Sequence, residues 1–134
     1  MADTFELEIA TPERLLIRDL VEEAQIPAEN GYIGVLPGHS PLICDLATGE
    51  LSYTSHGRRR YLSISGGFAE VLPDRVRVLA DSAEKADEVD LARAQKSLDR
   101  ARDRLSNPPP GTDIARALNA RKRAQARLAA ASHK

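Results

Sequence analysis

Phe5-Glu6-Leu7-Glu8-Ile9 alternates apolar and polar side chains one by one, and Leu62-Ser63-Ile64-Ser65 and Arg75-Val76-Arg77-Val78 repeat the pattern. Successive side chains of a strand point to opposite sides, so period two describes a sheet with one buried face. Turn signals follow at short intervals: Thr11-Pro12, Glu29-Asn30-Gly31, Pro37-Gly38, Thr48-Gly49, His56-Gly57, Gly66-Gly67 and Pro73-Asp74. Many short strands with no helix-length pattern between them predict an all-β sandwich or barrel over residues 1–85.

Past residue 85 the period changes. Leu91, Ala94, Leu98, Ala101 and Leu105 recur at three and four residues, which lines one face of a helix. Asp87, Glu88 and Asp90 at its start, with Arg102 and Arg104 at its end, suit the helix dipole. Asn107-Pro108-Pro109-Pro110-Gly111 stops it, and Thr112 is the expected N-cap of a second helix carrying Ile114, Ala117, Leu118, Ala124 and Leu128. The two helices also repeat each other. Shifted by 23 residues, Asp90, Arg93, Arg100 and Arg104 fall on Asp113, Arg116, Arg123 and Arg127. Residues 86–134 therefore read as an antiparallel hairpin with a thin alanine–leucine seam beside stripes of arginine. So thin a seam buries little apolar surface, so the hairpin should be marginal alone and dock on something.

The chain has 134 residues, 42% hydrophobic and 29% charged, with a formal net charge of −1. These values exclude a large multidomain enzyme, a disordered chain and a membrane-spanning helix. Met1-Ala2-Asp3-Thr4 is not a secretory start. The near-neutral total hides a division: 8 basic against 14 acidic residues over 1–85, and 11 against 6 over 86–134. Such asymmetry speaks of partners rather than of fold.

Catalytic signatures are missing. No nucleophile elbow, Walker loop or His-Glu-x-x-His motif occurs, and Gly31-Tyr32-Ile33-Gly34-Val35-Leu36-Pro37-Gly38 has neither the lysine nor the helix of a phosphate cradle. Cys44, in Pro41-Leu42-Ile43-Cys44, reads as a buried inert thiol. His56 and His133 read as turn and surface residues, and no spacing brings the histidines together on a metal. His39, with apolar neighbours on both sides, fits a structural loop or an interface equally. The arginine stripes have three readings: a solvated face, an anion site between the helices, or a nucleic-acid surface, the last disfavoured by an aromatic-free tail and an acidic front half.

Taken in order, Gly34-Val35-Leu36-Pro37-Gly38-His39-Ser40-Pro41-Leu42, Gly49, Ser65-Gly66-Gly67-Phe68-Ala69-Glu70-Val71 and Val76-Arg77-Val78-Leu79-Ala80, ahead of a two-helix tail, resemble the epsilon subunit of the bacterial and chloroplast-type F1Fo ATP synthase over essentially the whole chain. The resemblance implies a ten-stranded β-sandwich (residues 1–85) and a regulatory helical hairpin (residues 86–134) in a non-catalytic subunit of the rotating central stalk. It implies gamma and the c-ring as partners of the sandwich, through the loop from Asn30 to Pro41. There Tyr32, Gly38, His39 and Pro41 are the interface residues, Tyr32 standing where an acidic residue is frequent. It implies alpha and beta as partners of an extended hairpin that blocks ATP hydrolysis. No nucleic acid and no membrane insertion are expected. The location implied is peripheral, on the cytoplasmic face of the bacterial plasma membrane.

The resemblance also implies a nucleotide site. Val89-Asp90-Leu91-Ala92-Arg93-Ala94 matches the motif [Ile/Leu]-Asp-x-x-Arg-Ala except at Val89, and Glu84, Arg100, Arg123 and Arg127 match further binding positions. ATP is then a regulatory ligand and no cofactor is required. The alternative use of Asp90 and Arg93 is to anchor the hairpin to the sandwich. The alternative for the whole chain is a free-standing nucleotide-sensing or nucleic-acid-binding module built on the arginine hairpin.

Overall fold

A computed structural model describes residues 3–133. Eight strands come first: β1 (Phe5–Ala10), β2 (Leu15–Val21), β3 (Glu23–Ala28), β4 (Gly31–Val35), β5 (Leu42–Asp45), β6 (Gly49–Ser55), β7 (Arg58–Val71) and β8 (Arg75–Lys85). A single 3-10 turn (Ala86–Glu88) leads into α1 (Leu91–Ser106) and α2 (Ile114–Ala131).

The expected ten strands are eight among the described residues, because β7 and β8 each serve both layers. The first part of β7 pairs with β6 and its last part with β5, while β8 pairs first with β1 and then with the early part of β7. One layer is therefore β2-β1-β8-β7-β5 and the other β4-β3-β6-β7-β8. The crossing point is Gly66-Gly67, expected to be a turn. It is instead a kink inside β7, with φ of 67° and 98°, across which the register with β8 is unbroken, Ser65 opposite Ser82 and Gly67 opposite Ala80. A Cβ on Gly67 would lie 2.0 Å from the carbonyl oxygen of Leu79, so only glycine fits.

Alternation predicts the core correctly. Phe5, Leu7 and Ile9 of β1 and Val76 and Val78 of β8 face Ile26, Leu51, Leu62 and Ile64 of the other layer, all essentially inaccessible. At the far end of β6, His56-Gly57 makes a two-residue hairpin turn with positive φ at both positions, the geometry that matches strand twist.

The hairpin lies on the outer face of the β6–β7 layer, with α2 against the strands and α1 riding on α2. Buried Ala94, Leu98 and Ala101 of α1 meet Ala117 and Ala124 of α2, as the period predicts, and also Ala131, while the expected Leu105, Leu118 and Leu128 are only half-buried. Ala126 and Ala130 are also buried and point to the sheet, a second apolar stripe that the sequence reading did not identify. Leu91 and Ile114, expected in the seam, are exposed, because each opens its helix beyond the reach of the partner. Arg121 sits at seam spacing, and its Nε is enclosed without a hydrogen-bond partner among the described residues, which weakens the seam.

Candidate functional site

Each helix begins on an aspartate. Asp90 caps α1 by accepting from the Arg93 amide (3.1 Å), and Asp113 caps α2 by accepting from the Arg116 amide (3.0 Å). The two caps share a backbone conformation, φ/ψ −81/101° and −79/99°. Asp113 thus replaces the expected Thr112, whose hydroxyl turns back to the carbonyl of Pro109 (2.6 Å). The 23-residue repeat is real at the level of geometry, since equivalent residues start equivalent helices.

Between the helices and the end of β8 lies an open cleft of about 930 Å³. Arg93, Arg100 and Arg104 line it from α1, and their repeat partners Arg116, Arg123 and Arg127 from α2. The Pro109–Asp113 turn closes one end. Of the expected nucleotide residues, Glu84, Arg93, Arg100, Arg123 and Arg127 come together here. Glu84 and Arg127 already hold each other, Arg127 Nε donating to Oε1 (2.5 Å) and its second nitrogen to Oε2 (3.4 Å). Val89 and Ala94 do not line the cleft. They are buried with Ala131 and Leu128 in a small cluster under the connector. Asp90 is occupied as the α1 cap.

The connector is fastened by an ion pair that sequence reading did not foresee. Arg14, in the β1–β2 loop, forks onto Glu88 with distances of 2.7 and 2.9 Å, while Glu88 Oε1 also accepts from the Lys85 amide. The fork holds the Glu88 carboxyl well below its ordinary range, at about 2. At the other end of the hairpin His133, expected to be a plain surface residue, stacks on Tyr61 with ring centroids 3.6 Å apart, and its Nε2 lies 3.4 Å from Glu50 Oε1.

Three hydrogen bonds tie down the loop from Asn30 to Pro41. His39 N donates to Leu36 O (3.2 Å), Gly38 N to Pro73 O (2.8 Å), and His39 Nδ1 to the carbonyl of Ser40 (2.7 Å). Tyr32 is exposed on its ring but clamps Glu50, donating to its carbonyl (2.9 Å) and accepting from its amide (3.2 Å). Pro41 and Gly38 are exposed as well. Cys44 is only half-buried, because it sits on the short outer strand β5. Burial still raises its thiol pKa.

A second surface escaped the sequence reading. Leu15, Ala10, Leu79 and Phe68 are register partners across β2, β1, β8 and β7, so they form one row on the outer face of the first layer. Leu15 is 54%, Leu79 38% and Phe68 46% exposed, and Ile43 on β5, at 70%, extends the patch. The signal lay in the alternation itself: β1 and β8 keep glutamate and arginine on their outer phase until Ala10 and Leu79, where it turns apolar.

The β-sandwich domain model of the ATP synthase delta/epsilon chain matches residues 4–86, and the long alpha-helix domain model of the same chain matches residues 87–132. The chain belongs to the ATP synthase delta/epsilon family. As a member it is a non-catalytic subunit of the complex. The ATP synthase epsilon chain of Solibacter usitatus (strain Ellin6076) is 54% identical over 134 residues, all of both chains. That of Koribacter versatilis (strain Ellin345) is 56% identical over 110 residues, 82% of this chain and 78% of the other. Among solved structures, a chain of the Euglena gracilis mitochondrial ATP synthase OSCP/F1/c-ring assembly superimposes with TM-score 0.83 at 27% identity, covering 99% of this chain and 84% of that one. Of the described helices, none is long and apolar enough to cross a membrane.

Proposed function

We propose that this delta/epsilon-family chain is seated in the rotor by its bare sheet face and the loop from Asn30 to Pro41, against gamma and the c-ring, and that its hairpin restrains ATP hydrolysis. The observation that carries the first part is the Leu15–Ala10–Leu79–Phe68 row. Three large side chains, Leu15, Leu79 and Phe68, left exposed in one row that Ala10 completes are the mark of a surface built to be covered. The Tyr32, Gly38, His39 and Pro41 loop offers a stiff rim to the same partners. The assembly would lie on the cytoplasmic face of the bacterial plasma membrane, as a peripheral complex.

The hairpin reading rests on how lightly it is held. Along its length the contact with the sandwich is alanine on serine, and the His133–Tyr61 stack and the ion pairs hold only its ends, so a competing partner has little to displace. Released, its arginines fit acidic segments of alpha and beta by charge, which steers association and sets orientation. Pro108-Pro109-Pro110 keeps a break between the helices in that extended form. In the docked form the cleft holds ATP, with Arg93, Arg100 and Arg123 toward the phosphates, and ATP favours docking by its differential affinity for the two forms.

Reconstitution tests the assignment. Phe68→Ser with Leu79→Ser should leave the isolated chain folded but abolish its retention on the gamma–c-ring rotor. Retention at the native level would overturn the seating surface. Removal of residues 86–134 should raise ATP hydrolysis of the assembled enzyme, and an unchanged rate would overturn the restraint.

A further inference from the structure

The sandwich has a gathering of positive charge of its own, away from the helices. Residues 1–85 are acidic overall, yet five of their eight basic residues, Arg18, Arg58, Arg59, Arg60 and Lys85, line one open cavity of about 660 Å³. It lies where β2 of one layer faces β6 and β7 of the other. We infer that this cavity is a binding site for a phosphate group, free or carried on a small molecule.

The local charge is the first observation. Asp19 and Asp87 are the only acids lining the cavity among the described residues. Asp19 is already engaged, accepting from the Ser55 hydroxyl (2.9 Å) and the Leu20 amide (2.8 Å). Arg18 pairs with Glu6 (3.1 Å) and Arg59 with Glu23 (3.6 Å). Arg58, Arg60 and Lys85 are left with no ion pair among the described residues. Arg58 and Arg60, two apart on one strand, share a face and repel each other unless an anion stands between them.

The second observation is Tyr53. In the β6–β7 register Arg60 lies opposite Tyr53 and Arg58 opposite Ser55, so all four are on the inner side of this strand pair. Tyr53 is 3% exposed and lines the cavity, and its hydroxyl has no hydrogen-bond partner among the described residues. A tyrosine so deeply buried ordinarily finds one. Burial pushes its pKa up while Arg60 pulls it down, and the net rise keeps the phenol protonated, a donor aimed at whatever enters.

Two guanidinium forks, an ammonium and a phenol donor fit the oxygens of a tetrahedral anion. A carboxylate, with two oxygens, would leave part of the set unserved. His133 at the tip of the hairpin lines the cavity as well, so the site is complete only while the hairpin is docked.

Calorimetry of the full chain at fixed ionic strength decides it, with inorganic phosphate, glycerol 3-phosphate and a glutamate-rich peptide as probes. Phosphate should bind saturably, and Arg60→Ala should weaken it by about ten-fold. Tyr53→Phe, which keeps the ring in the core, should weaken it by about three-fold. Arg93→Ala, in the cleft between the helices, should leave it unchanged. Glycerol 3-phosphate binding as tightly as phosphate would support a carried phosphate group, and much weaker binding the free ion. No saturable phosphate binding up to about 20 mM would overturn the inference, as would binding that survives Arg60→Ala and is lost with Arg93→Ala. Peptide binding about ten-fold tighter than phosphate would also overturn it, making the cavity a groove for an acidic segment.

Discussion

The two outer faces of the sandwich are dressed the wrong way round for a protein that ends at its own surface. The face covered by the hairpin is small and polar, with Ser52 and Ser63 buried at 5% and 7% exposure beneath Ala126 and Ala130. The face left bare carries leucines and a phenylalanine in register. Burial of apolar area is the main source of association energy, so the weaker surface has been given to the chain's own hairpin and the stronger one reserved. An intramolecular contact needs little affinity, because the connector already holds the parts together. On the proposed seating, the bare face has no such help and needs the area.

The largest disturbance of this arrangement should come from the pivot that serves both faces. Gly67→Ala drives a Cβ into the Leu79 carbonyl and should cost about 3 kcal/mol or more, or prevent folding, as read by urea unfolding. Next is the bare face. Phe68→Ser should weaken rotor binding by about 2 kcal/mol while shifting the isolated chain's stability by only about 0.5 kcal/mol, a split that binding and unfolding measured side by side would reveal. On the covered face, Ser63→Leu should lift the hairpin at about 1–2 kcal/mol by overpacking. Hydrogen exchange should then quicken in α2 but not in β1.

The smallest effect belongs to the solvent-screened Arg14–Glu88 fork. Glu88 titrates at about 2 rather than the ordinary 4.5. The fork's support is therefore complete above pH 4.5 and fades as pH falls toward 2. Glu88→Gln should flatten hairpin exchange across that window, and an unaltered pH profile would deny the fork any part in docking.

Much of this was legible in the sequence because it is periodic. Phe5 to Ile9 and Arg75 to Val78 declare an inner face, and Leu91 to Leu105 declares a helix. The repeat of Asp90 and Arg93 at Asp113 and Arg116 points to matched helix starts, although residue type alone favours Thr112 as the cap. What stayed hidden depends on what lies opposite. Period two identifies two faces but not which of them is left bare, so Leu79 and Phe68 passed as ordinary strand residues. Gly66-Gly67 carries the same composition whether the chain reverses or merely kinks. Arg14 and Glu88 lie 74 residues apart, and no local rule joins them. In the cleft, the arginines could be gathered by helical spacing, but the prior claim of Arg127 on Glu84 and of Asp90 on its own helix required coordinates.

Glu50 is held from two directions, its backbone by the Tyr32 hydroxyl and its carboxylate by His133. A load applied to the exposed ring of Tyr32 therefore reaches the last turn of α2 through a single strand residue. Glu50 thus links the loop that carries Tyr32 at one end of the sandwich to the tip of the hairpin at the other.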